Sequence, residues 1–186
     1  MPDVVTWASS VAEARLAVPL ERRWRHVRAV AAKAETLRPV LREEADLLVA
    51  AAWLHDVGYA PDVVDTAFHP VDGARYLRRL GADERLCGLV AHHSAAAVEA
   101  ELRGLGDELA EFADEESLVR DALWACDMTT SPVGEPVTFP ARLAEIRQRY
   151  GEGHTVSRAI GSAADDITAA IARVTAGASS HGVTLL

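Results

Sequence analysis

Ala51-Ala52-Trp53-Leu54-His55-Asp56-Val57-Gly58 ends an apolar run that includes Leu47, Leu48 and Val49, and its reading decides the fold. An uncharged stretch of this length with no polar/apolar alternation predicts a buried helix rather than a strand. Glu43 and Glu44 favour a helix N-terminus, so the spacing predicts a helix over 42–57, closed by Gly58 and kept from resuming by Pro61. In mid-helix, adjacent residues diverge by roughly 100°, so His55 and Asp56 would face apart. At a helix end they converge, and an imidazole and a carboxylate can then grip one divalent cation on a rigid element.

Outward from this segment the chain is rich in Ala, Leu, Arg and Glu and nearly free of strand-like alternation, which predicts an all-α helical bundle. Further helices are expected over 10–36, interrupted at Pro19, and over 69–80, with Pro70 in the first turn and Gly81 at the end. Asp83 caps the next, which reaches His92 and His93, and another covers 117–127. Two more follow over 140–150 and 154–176, the acidic segment 99–116 is weaker, and the tail 177–186 is expected to be loose. The Pro/Gly-containing stretch 131–140 reads as a loop at the active-site end, because the 45 or so residues beyond it are few for an independent domain. One domain over 1–186 is expected, with its core over 20–130 and its C-terminal helices over 140–176.

The 186 residues are 49% hydrophobic, enough for a substantial core, and carry a formal net charge of −9. That balance disfavours a stable nucleic-acid partner, which calls for a basic stripe. A small phosphorylated substrate stays possible, since a bound cation reverses the local field. The two cysteines, Cys87 and Cys126, form no Cys-x-x-Cys pair, so neither a disulfide framework nor a zinc ribbon is implied. No leader-like start and no apolar run of about 18 residues is visible, so no membrane partner and a cytoplasmic location are expected; the oligomeric state is left open.

His26 from the first helical region and Asp127 from the end of a later helix complete a His, His, Asp, Asp set with His55 and Asp56. Such donors suit one or two divalent transition metals (Mn, Fe, Co, Ni or Zn), with Mg less well matched to nitrogen. Open coordination positions hold water and lower its pKa, so hydrolysis is the natural reaction. His69, His92 and His93 stand at helix ends and line the same rim; if Asp56 bridges, they offer donors for a second metal. The sequence does not separate His92 from His93. His92 is placed among the ligands with His69, and His93 is assigned a general-acid role beside the catalytic Asp56. Thr130 and Arg142 are the candidate substrate contacts, a guanidinium suiting phosphate. Taken alone, His26 reads as a surface histidine in a basic run, which its place before the doublet argues against; Asp127 reads as a turn cap, but Leu123, Trp124 and Ala125 point to a partly buried helix end, where an unpaired carboxylate is costly. Arg22, Arg23, Arg25 and Arg28 read as a solvated helix face, and Trp24, Trp53 and Trp124 as core.

His26, the His55-Asp56 doublet and Asp127 resemble the H…HD…D signature of the HD-domain superfamily of metal-dependent phosphohydrolases. The likeness continues through His69-Pro-Val-Asp-Gly-Ala and Val-Ala-His92-His93, similar to the second-metal ligands of dinuclear members such as the HD-GYP phosphodiesterases. The resemblance implies a helical bundle with metals at its centre and hydrolysis of a phosphate ester or anhydride of a small metabolite, a nucleotide being the expected substrate. The chain departs from the pattern at Tyr59, where many members carry Lys, in lacking Gly-Tyr-Pro after His93, and in the spacing of only 14 positions from His55 to His69. Two alternatives stand beside the phosphohydrolase. One is an HD-type diiron oxygenase using the same ligands, and the other is a non-catalytic sensor or scaffold that keeps only the helices.

Overall fold

The fold is described from a computed structural model, over residues 3–185. All regular elements among these residues are helices, and one bridge between Thr130 and Pro136 is the sole extended pairing. Helix α1 (Val4–Leu16) begins earlier than expected because Asp3 caps it, its carboxylate accepting the Thr6 N–H at 2.9 Å. Pro19 lies in the break before α2 (Glu21–Thr36), and α3 (Arg38–Leu41) and a 3-10 turn over Arg42–Glu44 lead into α4 (Ala45–Leu54). Then come α5 (His69–Arg79), α6 (Glu84–Ala91), α7 (Ala96–Arg103), α8 (Gly106–Leu109), α9 (Leu118–Met128), α10 (Phe139–Tyr150), α11 (Thr155–Ser162) and α12 (Ala164–Ser180). Asp83 and Ser117 cap α6 and α9, accepting the N–H groups of Arg85 at 2.9 Å and Arg120 at 3.2 Å.

Helix α4 is apolar on nearly every face because it is surrounded: α1, α2, α6 and α9 all pack on it, and Leu48, Val49, Ala50, Ala51, Ala52 and Leu54 are buried. Truncating a leucine such as Leu54 to alanine here would cost about 2–5 kcal/mol, since a close-packed site collapses only partly. A second apolar cluster, with Trp124, Met128, Phe139, Ile146, Ile160 and Ile167, fastens α10, α11 and α12 to α9. Helices α10 and α11 thus form a roof over the C-terminal ends of α4 and α9, while α12 packs along α9.

Several boundaries differ from expectation. The apolar helix stops at Leu54, with His55 as its C-cap and Asp56 already outside helical geometry at φ −101° and ψ 6°. Gly58 lies instead in the 3-10 turn Val57–Tyr59 and has another purpose. A Cβ there would lie 2.0 Å from the His69 carbonyl oxygen and 2.7 Å from the Gly73 nitrogen, so only glycine lets α5 close onto the doublet. The acidic segment forms α7 and α8, and the helix expected over 154–176 is two, divided at Ala163. The tail is not loose over its described part: α12 runs to Ser180, and Leu185 is buried in the core. Among the described residues, no helix is long and apolar enough to cross a membrane.

Candidate metal centre

His26 projects from mid-α2, where Val27, Val30, Ala31 and Ala34 share the buried face. His55 and Asp56 terminate α4, His69 opens α5, and Asp127 sits in the last turn of α9. The chain after α6 reaches the same place by an unusual route. Ser94 and Ala95 both adopt left-handed conformations, at φ 52° and 58°, which non-glycine residues rarely do and which cost on the order of 1–3 kcal/mol each. This reversal turns His93 and Ser94 inward.

The imidazoles are oriented by the backbone. Nδ1–H of His26 donates to the Ser131 carbonyl at 3.0 Å, that of His55 to Ala52 at 2.8 Å, and that of His93 to Val90 at 2.6 Å. A carbonyl only accepts, so each ring carries its proton on Nδ1 and, when neutral, presents a bare Nε2 lone pair. Those of His26 and His55 point at anions. His26 Nε2 lies 2.9 Å from Asp127 Oδ1 and 3.9 Å from Asp56 Oδ2, while His55 Nε2 lies 3.4 Å from Asp56 Oδ2 and 3.9 Å from Asp127 Oδ1. On the other side, His69 Nε2 is 3.5 Å from Asp56 Oδ1 and 3.0 Å from His93 Nε2. The two oxygens of Asp56 therefore face two different groups of donors: His26 with His55, and His69 with His93.

Lone pairs aimed at carboxylate oxygens repel unless a cation or a proton lies between them. His55 Nε2 is fully buried and has no hydrogen-bond partner, which would be costly for a group whose only role was structural. The residues present therefore fit a divalent metal, with one set formed by His26, His55, Asp56 and Asp127 and a second by Asp56, His69 and His93.

Protonation follows the same geometry. Burial opposes charging His55, but Asp56 and then Asp127 outweigh it and hold its pKa up to about 9. Burial works against ionising Asp56 as well, yet the Arg23 guanidinium and His55 keep its carboxyl well below the usual range. Asp127 is likewise held low, its burial being overcome by the His26 contact and the His55 charge. His69 and His93 shift the other way, because burial and neighbouring imidazoles (His93 for His69, His55 for His93) disfavour a further positive charge.

The structure separates the two adjacent histidines and corrects the expectation for His92. Its Nε2–H donates to the Phe112 carbonyl at 2.9 Å, its own carbonyl accepts the Trp124 indole N–H at 2.9 Å, and its ring packs away from the cluster. His93 takes the position expected of His92, among the metal-capable donors rather than apart from them as a proton donor. Thr130 is also displaced from its expected role: its hydroxyl is buried and donates to the Cys126 carbonyl at 2.7 Å, so it does not face the cavity. Arg142 does reach the site, from α10, lining a cavity of about 70 Å³ over the centre together with Arg23, Tyr59, His69, His93 and Ser94.

Two residues were missed. Ser94 donates its hydroxyl to Asp127 Oδ2, leaving Oδ1 for the histidines. Arg23 donates from Nη1 to Asp56 Oδ2 at 2.6 Å and lies over the Tyr59 ring at 3.9 Å, and that ring stacks on His69 at 4.0 Å. It is a half-buried partner of the doublet rather than part of a solvated face. Its spacing of three from His26 was the available signal, because residues three apart share one face of a helix.

Among curated proteins and among solved structures, none matches the chain. A family model described as HD domain matches residues 23–170, an interval that takes in each of the side chains that converge on Asp56 and the roof helices above them. That span is most of the chain, and with the doublet, its partners and the helical bundle in the order the family requires, the chain belongs to the HD-domain family.

Proposed function

We propose that this HD-domain protein is a metal-dependent phosphohydrolase that cleaves a phosphate ester or anhydride of a small metabolite, of which a nucleotide is the leading case. The observation that carries the reading is the convergence of three imidazole Nε2 atoms, each with its Nδ1 proton committed to a backbone carbonyl, on two buried carboxylates beneath an arginine-lined cavity. A divalent cation held by His26, His55, Asp56 and Asp127, with His69 and His93 available for a second, would activate water and neutralise developing charge on phosphorus.

The protein's own part is positioning. Ser94 fixes which oxygen of Asp127 faces the histidines, and Arg23 does the same for Asp56. Tyr59, whose burial holds its phenol protonated far above neutrality, braces His69 by stacking. Arg142 presents a guanidinium suited to a phosphoryl oxygen. Its Nε is buried and without a partner, and Glu145 holds its Nη1. The roof helices and the small cavity limit bulk water around the reacting group, which strengthens these contacts.

The test pairs elemental mass spectrometry with phosphate release from a panel of nucleotides and sugar phosphates. One or two transition metals per chain with turnover of at least one phosphorylated compound is the expected result. Stoichiometric metal with no phosphate release across the panel would overturn the hydrolase reading. The sharing of Asp56 between two donor groups also suits a diiron oxygenase, for which iron content with oxygen consumption is the signature. The arginines over the centre favour the phosphohydrolase.

A further inference from the structure

Arg23, Arg142 and Arg149 line the 70 Å³ cavity and also an adjoining outer pocket of about 320 Å³, to which Arg22, Glu21 and Pro132 contribute. These guanidiniums separate an inner chamber, too small for more than a phosphoryl group and its immediate neighbours, from a larger vestibule. In a chain with 28 acidic residues and 19 basic ones, such a convergence runs against the overall charge. One carboxylate serves most of it. Glu145 pairs with Arg142 Nη1, with Arg149 Nη2 at 3.1 Å and, more distantly, with Arg22 Nη2 at 4.0 Å, while Asp56 holds Arg23 at 2.6 Å and Glu21 lies 3.9 Å from Arg25, so three guanidiniums share the one charge of Glu145. Arg142 is buried, and its Nε finds no partner at all. A desolvated guanidinium with an unspent donor is costly unless something completes it.

We propose that the vestibule is a second anion subsite in which Glu145 is an internal place-holder, displaced when a second phosphoryl group of the substrate enters between Arg142 and Arg149. The substrate class is then an organic diphosphate or bisphosphate rather than a simple monoester. This deepens the phosphohydrolase reading and rests on it for the role of the inner chamber. The pocket's chemistry supports the assignment, since planar guanidiniums offer paired donors to phosphoryl oxygens, and a diphosphate brings the charge that Glu145 supplies only in part.

Isothermal titration of the full, metal-loaded chain with methylenediphosphonate, whose P–C–P link resists hydrolysis, and separately with inorganic phosphate tests the subsite without requiring turnover. Glu145→Gln removes the competing charge with little change of shape and should tighten the diphosphonate roughly 10-fold. Arg149→Met, which keeps an apolar stem at a partly exposed position, should weaken it roughly 10-fold, while phosphate affinity moves less than about 2-fold in either variant. Equal shifts for both probes, or no shift for the diphosphonate in either variant, would overturn the proposal. A protein that binds the diphosphonate as expected but releases no phosphate from any substrate would retain the subsite and lose the hydrolase.

Discussion

The floor and the roof of the cavity are built on different physical terms. The floor side chains, His26, His55, Asp56, His93 and Asp127, are buried at helix ends or inside the bundle, and each imidazole is tethered to a carbonyl of its own or a neighbouring element. In the roof, α10 supplies Arg142, Glu145 and Arg149, which mainly hold one another at a surface that is partly open to solvent. A floor fixed by the core holds its donors in place before any ligand arrives. A roof held by exchangeable ion pairs can change partners. On the proposed reading, the floor sets the chemistry and the roof sets what is admitted to it.

The sharpest way to break that division is at the residue both donor groups share. Asp56→Ala should lose metal, with affinity falling by more than about 100-fold, because the carboxylate shared by both donor groups goes and the half-buried Arg23 loses its partner. Elemental analysis of the purified variant beside the parent measures it, and retention of full stoichiometry would refute the floor as described. Gly58→Ala acts on the scaffold instead. With a Cβ forced within 2.0 Å of the His69 carbonyl, α5 must move away, and a loss of about 3–5 kcal/mol is expected in urea unfolding.

Next in size is the contrast between adjacent histidines. His93→Ala should reduce metal stoichiometry or weaken the second site by about 10- to 100-fold, whereas His92→Ala should leave metal content intact. The His92 change should still destabilise the fold by about 1–3 kcal/mol, because the Phe112 carbonyl loses its donor. Metal analysis and denaturant melts on the two variants separate these roles, and a reversed pattern would mean that His92, not His93, faces the metal centre.

The same turn explains what could not be read from the sequence. The doublet and Asp127 were legible because apolar runs placed them at helix ends, whereas His26, a surface histidine by its own segment, was legible only from its place before the doublet in a known pattern. His92 and His93 were not separable. Helical geometry predicts which way a residue faces only while the helix lasts, and α6 ends at Ala91, just before them. Two left-handed residues then reorient the chain without a glycine to announce it. Gly58 was visible but misassigned, since a helix stop and a close helix contact both call for glycine. Arg23 was hidden among four arginines of one segment, where charge alone reads as solvation.

A smaller effect concerns pH. In metal-free protein His55 holds a proton up to about 9, so its share of stability is complete below about 6.5 and is lost as pH rises through 9. His69 and His93 are held neutral below their ordinary value, chiefly by burial. The unfolded chain therefore gains protons that the folded one refuses, and stability falls as pH drops below about 6.5. The melting temperature of chelator-treated protein should peak near pH 6.5–7 and decline on both sides. Metal loading should erase the alkaline decline by displacing the His55 proton, as scanning calorimetry between pH 5 and 9 would reveal. A flat profile without metal would mean that the imidazoles are not coupled as the distances imply.

The roof should respond least to a change of its own. Arg149 has a partly exposed side chain and pairs with Glu145 in a geometry that solvent and salt weaken, so Arg149→Met should alter unfolding free energy by less than about 0.5 kcal/mol. The insensitivity is informative because the same substitution is expected to change anion binding severalfold. A residue that matters to what the cavity admits but not to whether the protein stands is one whose partners are exchangeable. If Arg149→Met instead cost more than about 2 kcal/mol in urea unfolding, its pairing with Glu145 would be part of the scaffold. The roof would then be as fixed as the floor, and Glu145 would no longer be available to give way to a substrate anion.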